Sequence, residues 1–354
     1  MPHFKRPKIG LIFTGGGIAA RRDSDTLKLL GRYDFNKWML EVSEIGLIAE
    51  IQPINLFSIG SHDIKTNHWL KIAESIYKNI KKCDGFVVTH GLDTIVYTAA
   101  AVSFLLKDLG KPVVFTGSRF PPNLDEANNM LIGRKDIYKN TLGGIEAKSN
   151  LINAVQAATM DIGEVCVLFG NKLLRANRTS TVDLFGPNIF DSGEVKPIGE
   201  VNFGLELYEH RFRRDSGKKT KLIRKIKEKV AYLKLFPQIE SRFIESLVEQ
   251  GYKAIIIEPF FTGEFPSHLG DVLKKITEEG VILVAACSSF QGSIDFSLYD
   301  GGQMGNDLEM ISGFDMTPEA VLTKLTVILG EETNRKKIKK LMHKNWAGEI
   351  SPIC

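Results

Sequence analysis

Long apolar runs are missing from this sequence. Its basic start, Met1 to Lys8, leads into only five residues of strand-like apolar chain, Ile9 to Phe13. That is too few for the core of a secretory signal and far short of the ~18 that a membrane helix needs. A soluble protein of the cytoplasm is the expectation, with no membrane partner. Cysteine is scarce and scattered: Cys83, Cys166, Cys287 and Cys354 form no C-x-x-C pair and have no histidines nearby. This spacing argues for free thiols in a reducing compartment and gives no support to a metal site. No metal and no cofactor is expected. Internal repeats and low-complexity tracts are absent as well, so a repeat architecture is excluded.

Charge of one sign is lacking everywhere except in one place. Between Arg211 and Lys229 ten Lys/Arg stand against Asp215 and Glu228, a local charge of +8 in a chain whose net charge is +4. The remainder therefore carries −4. A basic block can meet phosphates, but aromatic residues are not interleaved through this one as base stacking requires. It is read as a solvated linker, and nucleic acid is not the expected partner.

What is present is an alternation of short strand-like runs and helical stretches. Lys8–Phe13, Gly85–Thr89, Pro112–Thr116, Glu164–Phe169, Val230–Leu235, Lys253–Glu258 and Val281–Ala286 are mostly continuously apolar. Such runs suit strands covered on both faces of a parallel sheet. Between them a helix is predicted to begin after Asp93, with Ile95, Ala99, Val102 and Leu106 on one face. Another spans about Trp69–Lys81, and a third Pro318–Leu329, with Thr317 as N-cap and proline in the first turn. The fold class is α/β: a larger N-terminal doubly wound parallel-sheet domain over residues 1–204, a basic linker over 205–229, and a smaller C-terminal α/β domain over 230–354.

Ligands in open α/β sheets bind beyond the carboxyl ends of strands, where glycines permit tight turns. Three predicted strand ends have that form: Thr14-Gly15-Gly16-Gly17-Ile18-Ala19, Thr89-His90-Gly91-Leu92-Asp93-Thr94 and Thr116-Gly117-Ser118-Arg119. Any one of them is an ordinary structural turn. Together, in order, and with Ser61-His62-Asp63 on another loop, they form a constellation.

With Lys111–Ser118, Asn177-Arg178-Thr179, Gly313–Ala320 and the tail Asn345 to Pro352, these motifs resemble the bacterial-type L-asparaginase family, whose fold also occurs in an asparaginase-like subunit of an archaeal tRNA-dependent amidotransferase. The match near the C-terminus and the absence of a leader favour the cytoplasmic type. The resemblance implies amide hydrolysis by two threonines, the second polarised by an aspartate and a lysine. It also implies a serine loop that holds the amino-acid head, and a dimer or tetramer in which a neighbouring subunit completes each pocket.

Position by position, the first threonine falls on Gly17, the second on Leu92 and the lysine on Thr181, while the aspartate persists as Asp93 and the serine loop as Gly60, Ser61 and His62. Glu264 lies where the completing carboxylate from a neighbour falls. The implied binding set is thus Gly60, Ser61, His62, Leu92, Asp93 and Glu264, with no residue assigned to catalysis. A missing nucleophile alone costs ~10⁶-fold in triad hydrolases. The leading expectation is a catalytically silent protein that binds a small amino acid or its amide, or serves as a partner subunit, and forms a homodimer or homotetramer. One alternative is an active amidohydrolase with a non-standard nucleophile such as Thr14 or Thr181 and His62 or His90 as base. Another is an assembly role, or nucleic-acid contact, through the basic block. Asp93 has two readings of its own, a partner for a ligand ammonium or an N-cap for the helix that follows. Residues 123–145 look like an insertion, either a lid or plain surface, and Tyr33 is a loose candidate for a mobile-loop tyrosine.

Overall fold

The computed structural model describes residues 5–19, 42–120, 143–227 and 229–352. Tyr33, Cys354 and residues 123–142 of the insertion lie outside them. The chain divides into two compact units, residues 1–222 and 223–354.

In the first unit, strands β1 (Lys8–Phe13), β3 (Gly85–Thr89), β5 (Val113–Thr116) and β6 (Val165–Phe169) lie parallel in that order. Almost every position in them is buried, which is why they read as unbroken apolar runs. Strand β2 (Glu50–Asn55) adds to the outer side of β1, also parallel. It escapes the sequence reading because it is a half-exposed edge strand containing Pro53, and proline, lacking an N–H, is tolerated in sheets at such edges. Beyond β6 the sheet turns antiparallel through β7 (Lys172–Arg175), β10 (Gly199–Val201) and β11 (Leu205–Leu207). Two small pairs complete the unit: β4 (Leu106–Lys107) with β12 (Lys221–Leu222), and β8 (Ser180–Thr181) with β9 (Phe190–Asp191).

Helix α1 (Thr66–Asn79) packs against α2 (Ile95–Leu105), and α3 (Gly143–Thr159) sets Leu151, Ala154, Val155 and Ala158 into a core with Ile9, Leu11, Val87 and Val114. The sequence predicts a one-sided apolar stripe for α2. Instead every residue but Tyr97 is buried, because the sheet, α1 and the turn at Ala176–Arg178 enclose it. A helix hydrophobic all round is a buried helix.

The basic block is not a free linker along its whole length. Its first residues are clipped to the end of α3 and the start of β6. Arg211 pairs with Asp161 at 3.0 Å, the Arg214 amide donates to the same carboxylate at 2.9 Å, and the Phe212 amide donates to Glu164 at 2.7 Å. The Arg214 N–H, and then Arg211 and Arg213, hold the Asp161 carboxyl below its ordinary range. From Lys218 to Lys229 the lysines and Arg224 are exposed.

The second unit has four parallel strands, β13 (Val230–Lys234), β14 (Ala254–Glu258), β15 (Ile282–Ala285) and β16 (Ile311–Ser312). Helices α4 (Ser241–Glu249) and α5 (Gly270–Glu278) pack together, as do α6 (Pro318–Glu331) and α7 (Arg335–His343). The predicted start of α6 is present: the Thr317 hydroxyl accepts the Ala320 amide at 3.2 Å, with proline in the first turn. From α6, fully buried Lys324 pairs with fully buried Glu349 at 2.7 Å and donates to the carbonyls of Met342 and Lys344. Glu349 in turn accepts the amides of Trp346 and Ala347.

Candidate functional site

After β1 the chain crosses to β2 on one side of it, then returns to β3 on the other. The connections leaving β1 and β3 therefore run to opposite sides, and the crevice at the carboxyl ends of such strands is where doubly wound sheets bind ligands. All three glycine-bearing turns read from the sequence meet there.

The loop after β1 is drawn tightly against its neighbours. Thr14 is buried, and its hydroxyl donates to the Thr89 carbonyl at 2.7 Å. Gly16 adopts φ +81°, and a Cβ on it would lie 2.5 Å from the Gly91 nitrogen. Gly17 abuts the third turn: a Cβ there would sit 2.1 Å from the Ser118 carbonyl oxygen and 2.9 Å from the Ser118 hydroxyl. The main chain of Ser118 thus occupies the space that a side chain at residue 17 needs. Its turn is fastened on both sides. Asn150 Nδ2 donates to the Gly117 carbonyl at 3.0 Å, the Arg119 amide donates to Glu146 at 2.7 Å, and the Ser118 hydroxyl donates to the Phe120 carbonyl. Neither Asn150 nor the Arg119–Glu146 pair is singled out by the sequence; both act from α3, a long way off in the chain.

The second turn carries the polar pair. Ser61, buried in a short 3₁₀ turn, donates its hydroxyl to Asp93 Oδ2, and the Thr94 hydroxyl donates to the Ser61 carbonyl at 2.7 Å. Gly91 lets these loops approach, since a Cβ on it would lie 2.2 Å from Ser61 Oγ. Asp93 is exposed and accepts from Ser61 rather than capping α2, whose N-cap position is Thr94, with no side-chain capping bond. Of its two readings, the helix cap is therefore set aside. Leu92 is half-buried and lies over Gly117, where an added Cβ would meet Leu92 Cδ2 at 2.7 Å.

The histidines differ. His62 is exposed, with Nε2 3.5 Å from Asp63. His90 is buried, its Nδ1–H donating to the Gly91 carbonyl at 2.8 Å, and burial pulls its pKa down to about 4 against the opposing effects of that bond and of Asp93. A ring held neutral inside the fold is a structural histidine, with Nε2 unpartnered among the described residues. Thr181 is exposed in β8, registered with Phe190, and no described hydrogen bond joins it to Ser61 or Asp93. Thr179 is buried and donates to the Arg175 carbonyl at 2.7 Å. Glu264 belongs to the second unit, where it accepts from the amide and hydroxyl of Thr262, each at 3.2 Å. Cys83, Cys166 and Cys287 are buried free thiols. Among the described residues no cluster of His, Cys, Asp and Glu is shaped to hold a metal, and no helix is long and apolar enough to cross a membrane.

Chemically, the turn after β3 sets the exposed Asp93 carboxylate beside the hydrocarbon of Leu92. The hydroxyls of Thr14, Thr94 and Ser118 are spent on main-chain carbonyls, and a carbonyl cannot take up a proton as a nucleophile's partner must. The Ser61 hydroxyl, by contrast, faces a group that can accept one, Asp93.

Residues 8–131 and 141–213 match the family described as Asparaginase, N-terminal, and residues 229–342 match the Glutaminase/Asparaginase C-terminal domain. A glutamyl-tRNA(Gln) amidotransferase subunit from Pyrococcus abyssi is 33% identical over 360 residues, covering 98% of this chain and 77% of that protein. L-asparaginase 1 of Escherichia coli is 30% identical over 309 residues, covering 86% of this chain and 85% of that one. The crystal structure of L-asparaginase I from Vibrio cholerae superposes with a TM-score of 0.83 at 28% identity, over 98% of this chain and 100% of the other.

Proposed function

The chain belongs to the asparaginase family, and from that premise we propose that it holds a small amino acid between Ser61 and Asp93 without hydrolysing an amide. The observation that carries this reading is the contact at Gly17. Where the family resemblance puts the first catalytic threonine, a side chain would run into the Ser118 carbonyl 2.1 Å away. The second position, Leu92, offers only hydrocarbon, and the lysine position, Thr181, is neutral and exposed. Loss of the nucleophile alone costs ~10⁶-fold in comparable hydrolases, and further losses within one catalytic unit add little. The polar pair that would grip an amino-acid head remains joined.

The similarity to proteins named as subunits of an amidotransferase supports a role as a partner subunit, and the family resemblance supports a homodimer or homotetramer of the cytoplasm whose pocket is completed by Glu264 of another copy. The experiment is ammonia release from asparagine and glutamine by the purified full chain. A rate equal to the reagent blank is expected; steady-state turnover abolished by Asp93→Ala overturns silence.

A second reading, an active amidohydrolase with an unusual nucleophile, rests on the hydrogen bond from the Ser61 hydroxyl to Asp93. An exposed carboxylate is a far weaker base than the imidazole that normally activates serine, so this reading ranks below the first. Measured turnover that vanishes in Ser61→Ala while calorimetry shows the substrate still bound, and that survives in Thr14→Val, would establish it.

A further inference from the structure

We propose that the amino acid held beside Asp93 has an apolar side chain, of the leucine or methionine kind, and is not asparagine. This rests on the reading of Ser61 and Asp93 as the holders of the amino-acid head, and it concerns what the rest of the ligand meets. The head region presents the exposed Asp93 carboxylate, with Oδ2 taken by the Ser61 hydroxyl and Oδ1 facing no described partner. An ammonium group matches that carboxylate in charge and in hydrogen bonding.

The adjoining residue decides the remainder. Leu92 follows Gly91 on the same turn, packs its end onto Gly117 and stays half-exposed, so it presents hydrocarbon next to Asp93. Three nearby hydroxyls are already donating elsewhere: Thr14 to the Thr89 carbonyl, Thr94 to the Ser61 carbonyl, Ser118 to the Phe120 carbonyl. A side-chain carboxamide brought against Leu92 sheds water from its oxygen and finds these hydroxyl donors committed, and a polar group left unpaired on burial is heavily penalised. An apolar side chain in the same place removes water from Leu92 as well as from itself. Pockets discriminate on such terms: a single methylene is worth roughly ten-fold or more in binding.

The test is calorimetric titration of the full chain with L-leucine, L-methionine, L-asparagine and L-aspartate. Leucine or methionine is expected to bind at least ten-fold more tightly than asparagine, with aspartate weakest because its second carboxylate approaches Asp93. Asp93→Asn is expected to abolish binding of every ligand, and Leu92→Thr to narrow or reverse the preference. Circular dichroism checks that both variants remain folded. Asparagine binding as tightly as leucine would overturn this inference and leave the amino-acid-binding reading standing. Binding of none of the four to folded protein would overturn both.

Discussion

Adding a methyl group at residue 17 brings it against main chain rather than against a movable side chain. In Gly17→Ala the new Cβ would lie 2.1 Å from the Ser118 oxygen and 2.9 Å from the Ser118 carbonyl carbon. Relief requires the Ser118 turn to retreat, yet α3 holds it at Gly117 through Asn150 and at Arg119 through Glu146, at 3.0 and 2.7 Å. Overpacking of this kind costs about 1–3 kcal/mol. A domain of this size loses roughly 2–4 °C of melting temperature per kcal/mol, so a fall of roughly 2–12 °C follows. Gly204→Ala is the control, because a Cβ there meets nothing within 4 Å and a glycine-to-alanine change in open space is neutral or slightly stabilising. Thermal unfolding followed by circular dichroism reads both. The triple variant Gly17→Thr, Leu92→Thr, Thr181→Lys is expected to melt lower still and to release no ammonia from asparagine. Gly17→Ala melting with the parent protein, or the triple variant turning over without thermal loss, would refute the reasoning.

Two further outcomes follow from buried charge. Lys324→Met strands Glu349, fully buried against it at 2.7 Å; breaking such a pair costs about 3–5 kcal/mol, to be read by urea denaturation, and Lys324→Met with Glu349→Gln should recover part of the loss. A neutral Lys324→Met would show that the ion pair contributes nothing net. His90 is held near a pKa of about 4 by burial, below the ~6.5 of an unfolded histidine. The unfolded chain therefore binds this proton first as pH falls, so the associated stability is whole above pH ~6.5 and drains away toward pH ~4. It amounts to roughly 3 kcal/mol by linkage. Because His68 and His343 are also shifted downward, chiefly by burial, the readout is the difference between parent and His90→Asn. Denaturation profiles of the two that stay parallel from pH 7 to pH 4 would contradict it.

Much of the architecture was legible because burial writes itself into composition. Strands β3, β5 and β6 are enclosed on both faces and spell themselves out as apolar runs. Thr317 and Pro318 announce the start of α6 by cap chemistry that is local in the chain. Strand β2 was hidden because an edge strand with Pro53 has only one neighbour to satisfy. The clip between Arg211 and Asp161 was hidden because fifty positions separate residues whose charges look like ordinary surface. At the crevice, residue identities conveyed which groups persist, but two decisive facts are distances. That Gly17 touches the Ser118 main chain, and that Ser61 rather than a helix end engages Asp93, depend on loops from different strands converging.

Glu349, close to the end of the sequence, supplies the counter-charge to Lys324 at the heart of the second unit. During synthesis, N-terminal domains ordinarily fold while later segments are still being made. The first unit has all its strands once residue 222 is out. The second must wait, its lysine lacking a buried carboxylate until residue 349 has cleared the ribosome. A message truncated before that codon would yield a completed first unit joined to a second one whose Lys324 lacks its buried counter-charge.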